Sequence, residues 1–234
     1  MAPALARQRG DRELGAGALG RWSSTVYWFG VTGLLLVLTT LPGTVPLMLL
    51  DRSAGNIPLV AVCLIPLAPA VSAALYALRD RDRGEGLTAL HSFLRGYRRN
   101  AIDVLALWLP ALAVATMLGI SLANLEHAGV PGGYGLVLVV LAVMITVWAG
   151  NAVVIVSFFS LRTRDIARLG VYYMARTPLA SLGVLATVLV AAGIVYLTFD
   201  AVLGLVGSIL VWMLLRTCEP MLRHVHENFI AAGD

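Results

Sequence analysis

The stretch Ile57-Pro-Leu-Val-Ala-Val-Cys-Leu-Ile-Pro-Leu-Ala-Pro-Ala-Val-Ser-Ala-Ala-Leu-Tyr-Ala-Leu78 contains no charged residue. About 20 apolar residues suffice to carry a helix across the hydrocarbon core of a bilayer. In lipid such a run must be helical, because no water is there to bond the backbone. Pro66 and Pro69 fall inside it. Each removes a backbone donor, which costs a soluble helix about 3 kcal/mol. In a membrane the loss is tolerated where neighbouring helices satisfy the freed carbonyls, so the sequence predicts a kink packed against other helices.

Comparable runs lie on either side. Expected spans are residues 22–41, 57–78, 102–122, 134–159, 178–199 and 201–215, with Trp22, Tyr27 and Trp28 as interfacial anchors of the first. Pro42, Gly43 and Pro46 are expected to break that first run into an external turn. Composition agrees: 59% of residues are hydrophobic, only 13% are charged, and mean hydropathy is +0.85. A soluble domain of this length needs more charge to cover its surface. The fold class expected is all-α, a polytopic transmembrane bundle of six spans. It divides into a segment 1–21, a membrane domain 22–215 and a tail 216–234. The run 1–21 resembles a signal n-region without a prompt cleavage site, and an uncleaved signal anchor is expected.

The basic residues are seventeen arginines and no lysine. Four arginines precede the first span, six lie between spans two and three, four between spans four and five, and two in the tail. The opposite loops hold only Arg52. Positive charge accumulates on the cytoplasmic side, so both termini are expected in the cytoplasm of a bacterial cell membrane. Arginines flanking spans point to anionic lipid headgroups rather than nucleic acid.

Two Arg-bearing segments read as cytoplasmic interfacial helices. In the first, Leu87, Leu90, Phe93, Leu94 and Tyr97 form one apolar stripe. In the second, Ile166, Leu169, Tyr172 and Tyr173 do so. Spans two and three flank the first segment as spans four and five flank the second, which suggests a parallel repeat. The residues match poorly, Tyr97-Arg-Arg-Asn100 against Met174-Ala-Arg-Thr177.

Ile65-Pro-Leu-Ala-Pro-Ala-Val-Ser-Ala-Ala-Leu-Tyr76, followed by a charged turn and Phe93-Leu-Arg-Gly96-Tyr97-Arg98-Arg99-Asn100, resembles the YesL-like family of bacterial membrane proteins. The resemblance is most specific over residues 22–108. Ala68 stands where that family usually has glycine. The resemblance implies an integral membrane protein without established enzymatic activity, whose relatives accompany carbohydrate ABC importers.

Chemistry-bearing groups are sparse inside the spans. Proton-coupled carriers place ionisable residues there, and here charges cluster at the ends. Asp103 is expected to pair with a nearby arginine. Cys63 and Cys218 read as buried thiols. His224-Val-His226-Glu227 has the wrong helical spacing for a shared metal, and neither a phosphate loop nor a serine–histidine pair is present. No catalytic, cofactor or metal residue is therefore assigned. The expectation is a non-enzymatic accessory or assembly subunit of a carbohydrate ABC system, with Tyr97, Arg98, Arg99, Tyr172 and Tyr173 contacting permease subunits. The alternative is an autonomous small-molecule permease or substrate-capturing subunit, with a polar site at Asn151 and Ser157 near Pro66 and Pro69, and with Trp108 and Trp148 available for stacking. A second copy of the chain is a further candidate partner.

Overall fold

The computed structural model describes residues 18–51, 53–84, 88–125, 127, 129, 133–159, 162–197 and 200–229. The proposed signal anchor's leading segment, Arg52 and Glu126 fall outside the described residues, as do the side chains of His224, His226 and Glu227. The described elements are all helical: α1 (Ala18–Leu49), a 3-10 turn (Ala54–Asn56), α2 (Ile57–Cys63), α3 (Leu67–Arg83), α4 (Ala89–Ala123), α5 (Gly133–Phe158), α6 (Thr163–Arg176), α7 (Pro178–Leu197) and α8 (Asp200–Phe229).

Four units are long and apolar enough to cross a membrane: Trp22–Leu49, Ala54–Asp82, Ala89–Ala123 and Gly133–Phe158. Thr163–Arg176 and Pro178–Ile194 make a fifth if the pair, bent by 101°, counts as one.

The uncharged stretch that opens α2 and α3 lies at the centre. α3 packs against α1, α4, α5 and α8. Its Ala68, Ala70, Ala73, Ala74, Leu75, Ala77 and Leu78 are all buried. Small side chains allow helix backbones to approach closely, which replaces the hydrophobic driving force that lipid does not supply. Gly96 of α4 shows how close: a Cβ there would lie 2.7 Å from the Tyr76 Cβ. Gly43 of α1 likewise abuts the Cys63 carbonyl.

The expected kink is present between α2 and α3. The Val62 carbonyl, which Pro66 cannot serve, accepts from the Ile65 N–H at 3.1 Å. The Leu64 carbonyl accepts from the Leu67 N–H at 3.2 Å and from the Trp108 indole N–H of α4 at 2.9 Å. Trp108 therefore completes the break.

Three expectations are corrected. Pro42 and Pro46 do not end the first helix, which continues to Leu49. Both prolines face outward, and the hydroxyls of Thr39, Thr40 and Thr44 bond to carbonyls one turn earlier around them. The first amphipathic segment is not a separate interfacial helix. Thr88 caps it, its Oγ1 accepting from the His91 N–H at 3.3 Å, and it runs unbroken into the next span as α4. No Gly or Pro pair interrupts residues 97–103, so nothing stops the helix. The last helix also passes through Arg216 without a break and buries Cys218, Met221 and Leu222. The two repeat units thus fold differently, one with a continuous helix and one with a sharp bend.

Gly96→Val should lower the melting temperature of the purified protein, since overpacking costs about 1–3 kcal/mol. Gly30→Ala, which meets open space, should not lower it. Equal melting temperatures for wild type and Gly96→Val would remove the close α3–α4 contact from this account.

Candidate functional site at the arginine-rich end of the bundle

α3 ends in Arg79-Asp-Arg-Asp-Arg83, and Gly84 closes it with φ +67°, a left-handed cap that glycine adopts without strain. At 100° per residue, successive charged side chains leave the central helix in different directions. Arg79 lies over the Phe158 ring of α5, 4.4 Å from its centroid. Arg81 donates to Thr25 Oγ1 of α1 at 2.8 Å and stands 5.0 Å from the Phe29 ring centroid. Asp82 pairs with Arg216 of α8 at 3.2 Å. Arg216 also sits 5.4 Å from the Trp212 ring centroid and 3.7 Å from Glu219. Arg223 donates to Glu219 at 2.9 Å, and this bond, with the Arg216 charge beside it, holds the Glu219 carboxyl below its usual range. The charged turn therefore ties α3 to three neighbours. Half-exposed ion pairs are each worth about 0–1 kcal/mol, so its strength lies in the number of ties.

The α4 arm lies against α3 through Ala89, Ser92, Phe93, Gly96 and Asn100. Asn100 Nδ2 donates to the Ser157 carbonyl of α5 at 3.0 Å and approaches Ser72 Oγ of α3 at 3.4 Å. Ser157 Oγ donates to the Val153 carbonyl at 2.6 Å, and lies 2.8 Å from Ser72 Oγ. This buried node joins three helices. Asn100 was legible only as part of the family motif, and its role there is packing.

Asn151 and Ser157, expected in one polar site, belong to different nodes. Asn151 is fully enclosed and donates through Nδ2 to Ser181 Oγ of α7 at 3.2 Å. Ser181 Oγ in turn donates to the Met174 carbonyl at 3.3 Å. Pro178 has no N–H to offer that carbonyl, so the pair Asn151–Ser181 replaces the missing bond at the α6–α7 bend. Thr177 Oγ1 bonds to the Tyr173 carbonyl at 2.8 Å, and the Trp148 indole N–H bonds to the Ala167 carbonyl at 3.0 Å. Trp148 thus anchors α6 to α5. Asn151 Oδ1 has no hydrogen-bond partner among the described residues.

The docking residues separate by exposure. Arg98 and Arg99 are exposed on α4, and Tyr97 is half-buried against the core. Tyr172 is exposed, whereas Tyr173 is completely enclosed. Burial raises the Tyr173 phenol, the neighbouring Tyr172 adds to that, and Arg176 partly offsets it. Tyr173 is therefore a core residue, and surface contact falls to Tyr172. Asp103 is exposed and makes no ion pair among the described residues, contrary to the expected pairing.

A family model described as "Protein of unknown function, DUF624" matches residues 24–122. That span runs from α1 through α4 and includes the charged end of α3 together with Ser72 and Asn100, two of the three members of the α3–α4–α5 node. No curated protein and no solved structure matches the chain.

Asn100→Ala should destabilise the bundle by about 1–2 kcal/mol, the usual range for a buried interhelical hydrogen bond lost with an unpaired group left behind, read as a lower midpoint in thermal or denaturant unfolding. Burial pushes the Cys218 thiol up to about 12, and the thiolate is the reactive form. In a Cys63→Ser background, Cys218 should stay unlabelled by maleimide at neutral pH until the protein is denatured. Prompt labelling of the folded protein would place Cys218 outside the core.

Proposed function

We propose that the chain is a six-span protein of the bacterial cell membrane with both termini cytoplasmic. In this reading it serves as a non-enzymatic accessory or assembly subunit of a carbohydrate ABC transport system. The arginine bias along the sequence supports the orientation. The YesL-like resemblance is the ground for the carbohydrate importer.

The observation that carries the docking role is the α4 arm. Arg98 and Arg99 are exposed on a helix that continues unbroken into a span, while the opposite side of that helix is fixed to α3. Arginine and tyrosine are enriched among residues that dominate binding energy. A rigid helix presents them with more positional precision than a loop. The polar groups that a substrate site would recruit, Asn100, Ser72, Ser157 and Ser181, are spent on helix packing, which favours a scaffold over a carrier.

The permease reading keeps one observation in its favour, the unfilled hydrogen-bonding capacity of buried Asn151 Oδ1. A solute that raises the melting temperature of wild type but not of Asn151→Leu would favour it.

The accessory reading is tested by tagging the protein in its own host and purifying it in mild detergent with a span-matched control. Permease subunits should copurify, and Arg98→Glu with Arg99→Glu should reduce their recovery at least tenfold, as loss of a hot-spot pair does. Recovery of the wild-type protein without any transporter component would overturn the assignment.

A further inference from the structure

We propose that α6 is a headgroup clamp, a stripe of three arginines and a tyrosine that binds the phosphates of anionic phospholipids in the cytoplasmic leaflet. The inference concerns α6 alone and stands apart from the docking role of α4.

Arg164, Arg168, Tyr172 and Arg176 follow one another at four-residue intervals, and all four are exposed. Residues so spaced form a slowly winding stripe along one side of a helix, each about 6 Å further along the axis. The opposite side is fixed in place. Ile166, Leu169, Gly170 and Tyr173 are buried, and Trp148 holds the Ala167 carbonyl at 3.0 Å. Gly170 makes the fit close, since a Cβ would come within 3.1 Å of the Trp148 indole nitrogen. The helix therefore cannot roll to hide its arginines.

The bend gives the orientation. α6 lies at 101° to the first part of α7, so if α7 crosses the bilayer, α6 runs along its surface. Exposed apolar residues flank the stripe, Val171 on α6 with Leu179 and Leu182 on α7. Guanidinium groups beside exposed apolar side chains match the boundary where phosphates meet acyl chains. A soluble acidic partner would leave those apolar groups uncovered.

Tyr172 is part of the clamp. Its ring meets that of buried Tyr173 edge to face, with centroids 5.2 Å apart. Tyr172 lies about one turn from both Arg168 and Arg176 along the stripe, where its hydroxyl can donate to a phosphate oxygen. The other charged groups of the segment are Arg162, exposed just before the helix, and Asp165, exposed in its first turn. Three cations in the stripe against this one acid leave the helix surface positive. Arginine suits the role because its planar fork can offer two donors to one phosphate.

The full-length protein, reconstituted in phosphatidylcholine bilayers, is tested with trace spin-labelled phosphatidylglycerol or spin-labelled phosphatidylcholine. Electron paramagnetic resonance then reads the fraction of each label immobilised on the protein. Wild type should prefer the phosphatidylglycerol label several-fold. The variant R164Q/R168Q/R176Q should lose most of that preference, and R164K/R168K/R176K should keep much of it, which separates lost charge from lost folding. The control R95Q/R98Q/R99Q should retain the preference. An unchanged preference in the α6 glutamine variant would overturn the clamp. So would an equal loss in the α4 control, which would reduce the effect to net charge. Absence of any preference in wild type would overturn it too, and if the stripe then retained a host protein, the face would be assigned to that partner.

Discussion

Carbonyl groups that lose their helical donors must find others, and this constraint organises the polar chemistry of the bundle. Proline removes a donor in the middle of a chain segment that water does not reach, and an unpaired buried carbonyl costs about 1–3 kcal/mol or more. The protein answers in two ways: the Val62 carbonyl orphaned by Pro66 accepts from the Ile65 N–H within its own turn, and side chains reach other carbonyls at the bends. Trp108 reaches the Leu64 carbonyl at the α2–α3 break. Ser181, itself held by Asn151, reaches the Met174 carbonyl at the α6–α7 bend. These two side-chain contacts each come from another helix, so each kink is also a tie between helices. The irregular geometry and the packing specify one another.

This use of polar residues changes how intramembrane Asn, Ser and Trp should be interpreted. A lone asparagine in an apolar run looks like a substrate contact because its burial has to be explained. Here the Nδ2 group answers to the proline 27 residues further along, which is invisible until the bend brings Ser181 between them, while Oδ1 has no partner among the described residues. Asn100, Ser72 and Ser157 answer a related need, joining α3, α4 and α5 where small residues bring the helices too close for large apolar side chains. The same proximity makes Gly96 and Gly43 necessary.

The membrane character, the arginine asymmetry and the kink at Pro66 were legible because each depends on composition or on one residue's covalent chemistry. The face that α4 buries was legible only in part. Of the apolar stripe, Phe93 is buried and Tyr97 half-buried, but Leu90 and Leu94 are exposed, while Ser92, Gly96 and Asn100 are buried. In water an amphipathic stripe turns toward the core. Next to lipid, the large apolar side chains lose nothing by facing outward, and close packing favours small residues inside. The same inversion concealed the continuity of α4, since charge density suggested an end where the backbone had no reason to stop. Tyr172 and Tyr173 could not be separated by sequence spacing either. Adjacent residues differ by 100° around the helix, and only the position of Trp148 and α5 decides which of the two is enclosed.

The distribution of order along the bundle bears on where function can reside. From Asn151 through Ser157, every residue of α5 is buried, whereas from Leu136 to Met144 most are exposed and apolar. The end carrying the α3 arginines is thus packed on all sides, and the opposite end of α5 is covered chiefly by whatever surrounds the protein. A binding surface gains from being held by a tight core, because less ordering is then needed when the partner arrives. The α4 arm and the α6 stripe both stand on that packed end, fixed respectively by the Asn100 node and by Trp148. They share the arginine chemistry, and α4 too exposes apolar side chains, Leu90, Leu94 and Ile102, but the two helices differ in direction. α6 lies across the direction of α7, with Val171, Leu179 and Leu182 beside its charges. α4 continues in line with its span, and Arg98 and Arg99 are exposed on it beside the buried Gly96 and Asn100. The first geometry suits the clamp proposed for α6, and the second suits the docking role proposed for α4.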